Sequence, residues 1–418
     1  MERTGRSSPT FDPSLNGDFF MLIRKILAAA SAASLFGLAA TAGAAETIKV
    51  GLVAPFSGPF AQYGAQMYAG IQAYFHLNGD EVAGKKVEII RRDTGGAGPE
   101  IARRLSQELV NRDQVDFLTG YGLTPEALAS APIAERSKTP LIIMNAATLS
   151  IVEKSQYIAR VSLATAQGSG VIGHWAANEG IKTAVTLVAD YGPGLDAEAA
   201  FKKTYTRGGG EIVETIRTPL NNPDFGPFMQ RIRDIKPDAV FVFVPAGEQS
   251  IGFMKNYQSR GLAELGIKVI GPGDVTDDHV LPSMGDEALG VITAFHYSVA
   301  HESPENEKFL KAYAEVNPNA GQANFMTVGG YDGMDAIFQV SKALNGDIDG
   351  DKAMEILKGM KIDSPRGPLL IDPETRDVVH TEYIRRVERI DGQLKNVEFA
   401  RFPEVKGDGD VSGEPQAM

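Results

Sequence analysis

The stretch IKVGLVAPFSGPFAQYG, residues 48–64, sets the reading of the whole chain. A run of β-branched and small apolar residues stops at Pro55, passes through a loop carrying Phe60 and Tyr63, and enters a helix-like pattern. Strand, loop and helix in that order open a βαβ unit, and in open α/β sheets ligands bind at the loops on the carboxyl ends of the strands. The same order recurs. Strand-like runs at 86–93, 115–120 and 140–145 alternate with helix-like stretches near 62–77, 98–112 and 125–136. The pattern restarts with strand-like runs at 183–190, 210–216, 239–244 and 267–271. This alternation predicts an α/β fold of right-handed βαβ units, with parallel sheets covered on both faces. Two successive series predict two similar lobes rather than one wide sheet.

After residue 300 the alternation ends. Helix-like patterns near 304–316, 323–343 and 351–358 lead into a turn-rich stretch, SPRGPLLIDPETRD, at 364–377. Residues 381–402 read as two strands joined by an Asp-Gly turn. The polar end of the chain, 403–418, is expected to be a flexible tail.

Composition narrows the function. The chain has 418 residues, 43% hydrophobic and 22% charged, with a net charge of −12. That length suits more than one domain, and that charge argues against a nucleic-acid partner, which requires a basic face. From Met21 the sequence MLIRKILAAASAASLFGLAATAGAAE has two cations, an apolar stretch and a small-residue cleavage motif near Ala44. This is the pattern of a secretory signal, and the twenty residues before Met21 read as an upstream start. The competing reading of 21–44 as a membrane anchor is disfavoured by its alanine content and cleavable end. There is no cysteine, so disulfides, thiolate metal sites and a lipid-modified cysteine are all excluded. An exported chain without a lipid anchor stays with its cell only inside an outer membrane, which points to the periplasm.

Catalytic signatures are missing from the sequence: no nucleophile elbow, no phosphate-binding glycine loop, no paired-histidine zinc motif. The six histidines are scattered, and neither a metal nor a cofactor is expected. Asp277-Asp278 beside His279 reads as a helix N-cap with acidic first-turn residues. The strand-end loops carry more information. TGYGLTPEALA places Tyr121 and Thr124 just before a helix start at Pro125, and NAATLS places Ala147 and Thr148 after the next strand. A hydroxyl beside free N–H groups at a helix start suits an anion, although capping alone explains many such threonines.

At this point the chain resembles a known family. KVGLVAPFSGPFAQYGAQMYAGIQAYFHLNG, GKKVEIIRRDT, YGLTPEALASAPIAERSKTPLIIMNAAT and VADYGPG are similar to the periplasmic binding proteins of the leucine/isoleucine/valine type. These are the solute receptors of ABC importers, and the resemblance spans about 46–400. It implies two Rossmann-like lobes joined by three hinge crossovers, near 160–162, 295–298 and 370–373, with the ligand cleft between them. The first lobe would comprise 46–161 and 297–371, the second 162–296 and 372–402.

Carried onto this sequence, the resemblance makes Thr124 the hydroxyl that holds a ligand carboxylate, and Ala147 with Thr148 the second carboxylate-binding turn. Tyr191 would cover the ligand from the second lobe, while Phe60 and Tyr63 would line the cleft from the first. Tyr121 joins them as a cleft candidate. One position departs from the pattern: where amino-acid receptors carry a glutamate for the ligand ammonium, GPGDV has Gly273, with Asp274 next to it. Either Asp274 supplies the carboxylate or the ligand has no amine. The later SPRGP, IDPETRD and YIRRVE motifs resemble receptors of aromatic acids, and Arg366 and Arg376 within them read as turn and crossover residues. The expectation is therefore a monomeric periplasmic receptor that traps a small carboxylate and delivers it to the permease subunits of an ABC importer. The alternative is an exported α/β enzyme acting on a small acid.

Overall fold

The computed structural model describes residues 47–418, with Gly5 and Pro9 as isolated points upstream. The export signal expected in 21–44 and the segment before it lie outside the described residues. Strands form where β-branched runs were read, and they divide into two sheets. The first has the order Glu81–Val82, Lys85–Asp93, Ile48–Ala54, Phe117–Gly120, Leu141–Ile143, Ile158–Arg160. It is parallel throughout except for its two-residue edge strand.

The second sheet runs Glu211–Thr218, Thr183–Ala189, Ala239–Phe243, Lys268–Pro272, Ile292–Phe295, all parallel, and then meets the long strand Val378–Ile390 antiparallel. That strand pairs along its length with Gln393–Val405, and its first residues pair with Gly367–Ile371. The hairpin turn is Asp391-Gly392, both at positive φ (50° and 78°), the conformation an Asp-Gly turn supplies without strain.

Burial explains why the central strands are apolar along their whole length while edge strands such as Glu211–Thr218 are mixed. In Ala239–Phe243, Val240 and Val242 enter one core, while Ala239, Phe241 and Phe243 enter another on the opposite face. Successive side chains of a strand point to opposite faces, so a sheet covered by helices on both sides has no polar alternation. Around the first sheet, Val50, Leu52 and Phe117 share a core with Phe309 and Ile337 from the late helices Pro304–Val316 and Phe325–Ala343. Trp175 and the methionines at 326, 334 and 354 are buried on helices, and Met360 is buried just beyond the helix Gly350–Leu357.

Two sequence expectations change here. Asp277-Asp278 starts no α-helix; short 3-10 turns follow. Its carboxylates instead accept from Asn324 Nδ2 (3.0 Å) and Asn396 Nδ2 (2.8 Å), tying the loop to distant segments. The expected flexible tail lies against the second sheet. Asp410 pairs with Lys203 and Arg207, His174 Nε2 meets the Gly413 carbonyl at 2.7 Å, and Gln416–Ala417 adds a short strand to Gln393–Val405. Its polar composition hid acids that have basic partners on the neighbouring helix Gly192–Arg207. Among the described residues no helix is long and apolar enough to cross a membrane.

Candidate functional site

The carboxyl ends of the two sheets face each other across a narrow slot of about 20 Å³. From the first sheet, the strand Phe117–Gly120 breaks into a turn where Gly120 and Tyr121 both have positive φ (97° and 58°), and the helix Thr124–Ser137 begins. The Glu126 carboxylate caps that helix by accepting the Leu123 N–H at 3.0 Å, and burial pushes its pKa up to about 7. Thr124 is left at the first helical position, facing the slot.

The neighbouring strand Leu141–Ile143 leads into a turn tied to the first. Asn145 Nδ2 donates to the Gly122 carbonyl at 2.6 Å, and the Ala146 N–H donates to the Tyr121 carbonyl at 2.9 Å. The two threonines meet: the Thr124 hydroxyl donates to Thr148 Oγ1 at 3.3 Å. Behind this turn stands Arg160, fully buried, whose Nη1 donates to the carbonyls of Ala146 (3.2 Å) and Thr148 (2.9 Å). Its other nitrogens hold Asp377 in a bidentate pair, at 2.7 and 2.5 Å. Arg160 thus ties both carbonyls of the turn to Asp377.

The opposite wall comes from the second sheet. Tyr191 precedes the helix Gly192–Arg207 and stacks on Phe243, with ring centroids 6.1 Å apart. Asp274 follows the strand Lys268–Pro272 and is 8% exposed, with its Oδ2 buried and unpartnered. Burial raises the Asp274 carboxyl to about 7, against its own backbone hydrogen bond and the Arg385 cation, which lower it. Several contacts cross from wall to wall, among them the Thr165 N–H donating to the Ala147 carbonyl at 3.0 Å. The Tyr63 hydroxyl donates to the Ala246 carbonyl at 3.1 Å, the Leu149 N–H donates to Asp196 Oδ2 at 2.9 Å, and Gly192 lies against Thr148. Burial holds the Tyr63 phenol well above its ordinary pKa, so it is a neutral donor.

Of the residues singled out in the sequence, Tyr63, Thr124, Ala147, Tyr191 and Asp274 line the slot, and Thr148 is bonded to one that does. Phe60 does not reach it. Its ring meets Tyr63 edge-on at 5.4 Å and faces an outer groove of about 400 Å³ that includes Leu220 and Gln249. Tyr121 is corrected more sharply: it is fully buried, and its hydroxyl lies 2.8 Å from Ser106 Oγ in the first core. The left-handed turn swings its side chain away from the cleft and leaves only its backbone in the site. Sequence reasoning missed Asn145, Thr165 and Phe325, which also line the slot. Asn145 sat inside a quoted motif, whereas Phe325 comes from a helix far along the chain with no local signal.

Arg366 and Arg376 hold crossover segments, as their turns suggested. Arg366 donates to the Val161 and Ser162 carbonyls and pairs with Asp332 at 3.0 Å; Arg376 donates to the Ile158 and Val152 carbonyls. One group among the described residues has metal-ligand chemistry: His296, His380 and Glu382, all buried. Arg366 Nη1 lies 3.1 Å from His380 Nδ1, and a guanidinium can only donate, so Nδ1 accepts. Burial keeps His380 neutral, which puts its single proton on Nε2, 3.6 Å from Glu382 Oε1. That tautomer offers a proton rather than a lone pair, so the trio does not fit a metal.

Comparison with known proteins agrees with this fold. A family model described as periplasmic binding protein matches residues 47–393. The chain is 45% identical to the Leu/Ile/Val-binding protein homolog 6 of Brucella melitensis, over 91% of this chain and 97% of that one. It is similar to a crystal structure of an ABC-transporter solute binding protein from Rhodopseudomonas palustris BisB5 in complex with 3,4-dihydroxybenzoic acid: TM-score 0.84, 53% identity, 87% of this chain and 99% of that one. A second, from Rhodopseudomonas palustris HaA2 in complex with p-hydroxybenzoic acid, matches with TM-score 0.85 and 41% identity over 87% of this chain and 99% of that one.

Proposed function

We propose a function from one premise: the chain belongs to the periplasmic binding protein family. It is the substrate receptor of an ABC importer of the branched-chain-amino-acid type, and its ligand is a small aromatic carboxylate. It binds without turning the ligand over, as a monomer in the periplasm after removal of its signal near Ala44, and presents the closed form to the membrane permease.

The observation that carries this reading is the pairing of walls. One offers two hydroxyl-bearing turns at strand and helix ends, Thr124 and Thr148, braced from behind by Arg160. The other offers an aromatic ring, Tyr191, and one buried acceptor, Asp274. N–H groups and hydroxyls at such turns suit a carboxylate, and low-dielectric surroundings strengthen those contacts. The ring stack of Tyr191 on Phe243 suits a flat ligand body. The two solved relatives that hold hydroxylated benzoic acids support the ligand class.

Closure follows from hinge motion between lobes 46–161 plus 297–371 and 162–296 plus 372–402. Support comes from the strands: residues 158–160 end the first sheet, 292–295 belong to the second, and 378–390 joins the second sheet to the strand 367–371. A slot this small admits a ligand only when the walls part, and a ligand favours the closed state through contacts it makes only there.

A thermal-shift and calorimetric panel tests the reading. 4-Hydroxybenzoate, 3,4-dihydroxybenzoate and benzoate are expected to raise the melting temperature, and leucine is not. Binding of leucine with no response to aromatic acids would refute it. Recovery of a chemically altered ligand after incubation would favour the enzyme alternative.

A further inference from the structure

Gly273 and Asp274 form the corner of the second wall. A Cβ on Gly273 would stand 2.2 Å from Arg385 Nη2 and 2.3 Å from Phe295 Cγ, so no side chain can project from that position. The space is filled by a built unit. The Arg385 guanidinium sits 5.1 Å over the Phe295 ring, is 1% exposed, and donates to Thr293 Oγ1 at 3.1 Å and to the Tyr297 carbonyl. A permanent cation therefore backs the corner from which Asp274 faces the slot, close enough to act on its carboxyl.

The donors and acceptors can be counted. An ammonium brings three donors and a full charge, and it needs several acceptors when taken out of water. A phenolic hydroxyl brings one donor and no charge. The corner offers one buried, unpartnered acceptor, Asp274 Oδ2, and Arg385 with Phe295 fills the space a second acidic side chain would need at position 273. The Tyr63 hydroxyl spends its one proton on the Ala246 carbonyl and carries no charge to offset an ammonium.

We infer that Asp274 is a specificity residue that accepts a hydrogen bond from a ring hydroxyl on the ligand, and that Arg385 and Phe295, by filling the space at Gly273, leave too few acceptors there for a ligand ammonium. The ligand class is thus narrowed to hydroxylated aromatic acids, with the carboxylate on the Thr124–Thr148 wall and the hydroxyl on Asp274. This deepens the proposed function and rests on it. A hydrogen bond between a hydroxyl and a buried acceptor, lost without replacement, is expected to change affinity by about tenfold or more.

The test compares Kd values for 4-hydroxybenzoate, benzoate and 4-(aminomethyl)benzoate in the full exported chain and in Asp274→Ala. The unsubstituted protein should prefer 4-hydroxybenzoate over benzoate by at least about tenfold, and should bind the cationic acid more weakly than benzoate. In Asp274→Ala the preference for the hydroxyl should fall to within about threefold. A preference that survives in that variant, or a cationic acid bound as tightly as 4-hydroxybenzoate, overturns the inference. Should Asp274→Ala fail to fold by its ligand-free melting curve, Asp274→Asn, which keeps one acceptor oxygen, is measured instead and should retain part of the preference. Equal binding of benzoate and 4-hydroxybenzoate by the unsubstituted protein sinks this inference alone; binding of neither sinks the proposed ligand class with it.

Discussion

Thr148 carries the sharpest expectation at the scale of single residues. Replacing it by Val keeps the shape and removes the hydroxyl that meets Thr124 at 3.3 Å. A ligand carboxylate would then lose one buried partner, and 4-hydroxybenzoate binding should weaken by about 1–3 kcal/mol by calorimetry. Unchanged affinity would remove Thr148 from the site. The residues legible in the sequence share one property: they sit on strand-end loops, where side chains of an α/β sheet meet ligands. Tyr121 sits on such a loop and was still misplaced, because its φ of 58° reverses the side-chain direction that a regular turn would give. Nothing in the letters of a loop announces that reversal for a tyrosine, which rarely adopts it. Arg160 was read only as the start of a crossover, since a buried guanidinium with a partner 217 positions away leaves no local pattern.

At the scale of elements, the long βα alternations were legible because the central strands are buried on both faces and most helices keep a polar side. The short strands Ile158–Arg160, Ile292–Phe295 and Lys361–Ser364 were not. Three or four residues carry too little periodicity, and these strands exist because a neighbouring strand is already in place. The helix Gly192–Arg207 yields a prediction of its own. A Cβ on its first residue would stand 2.3 Å from Thr148 Oγ1 on the opposite wall. Gly192→Val therefore blocks the last approach of the two walls while leaving each wall's own packing untouched. Ligand affinity should fall by about tenfold or more, with the ligand-free melting temperature held within a few degrees. A variant that binds as tightly as the parent would show that this contact is not needed for closure.

For the whole molecule, the buried acids behind the cleft give stability a pH dependence with a definite sign. Burial raises Asp277 to about 8, helped by Asp278, and burial raises Glu382 to about 8 against Arg385 and Arg366. In the unfolded chain such groups titrate near 4, so between about 4 and 8 the folded protein holds protons that the unfolded chain has released. Their contribution is complete below the unfolded value and is lost as pH rises through the folded one. His296 and His380 are held neutral by burial, so their contribution is complete above about 6.5 and fades below it. From pH 6.5 to 8 the acids act alone, and the melting temperature should fall across that window. Asp277→Asn should flatten the fall; a melting temperature that rises over the same range would contradict the assignment.

Arg160 joins two duties in one side chain, since it grips Asp377 and the carbonyls under Thr148 at once. On the proposed function, the pivot and the carboxylate grip would therefore be mechanically inseparable: a substitution that retunes one would disturb the other. Asp274, Tyr191 and Gly273 stand outside that linkage. A receptor built this way can change its diet only from one side, keeping the acid end constant while the far corner is free to be rewritten.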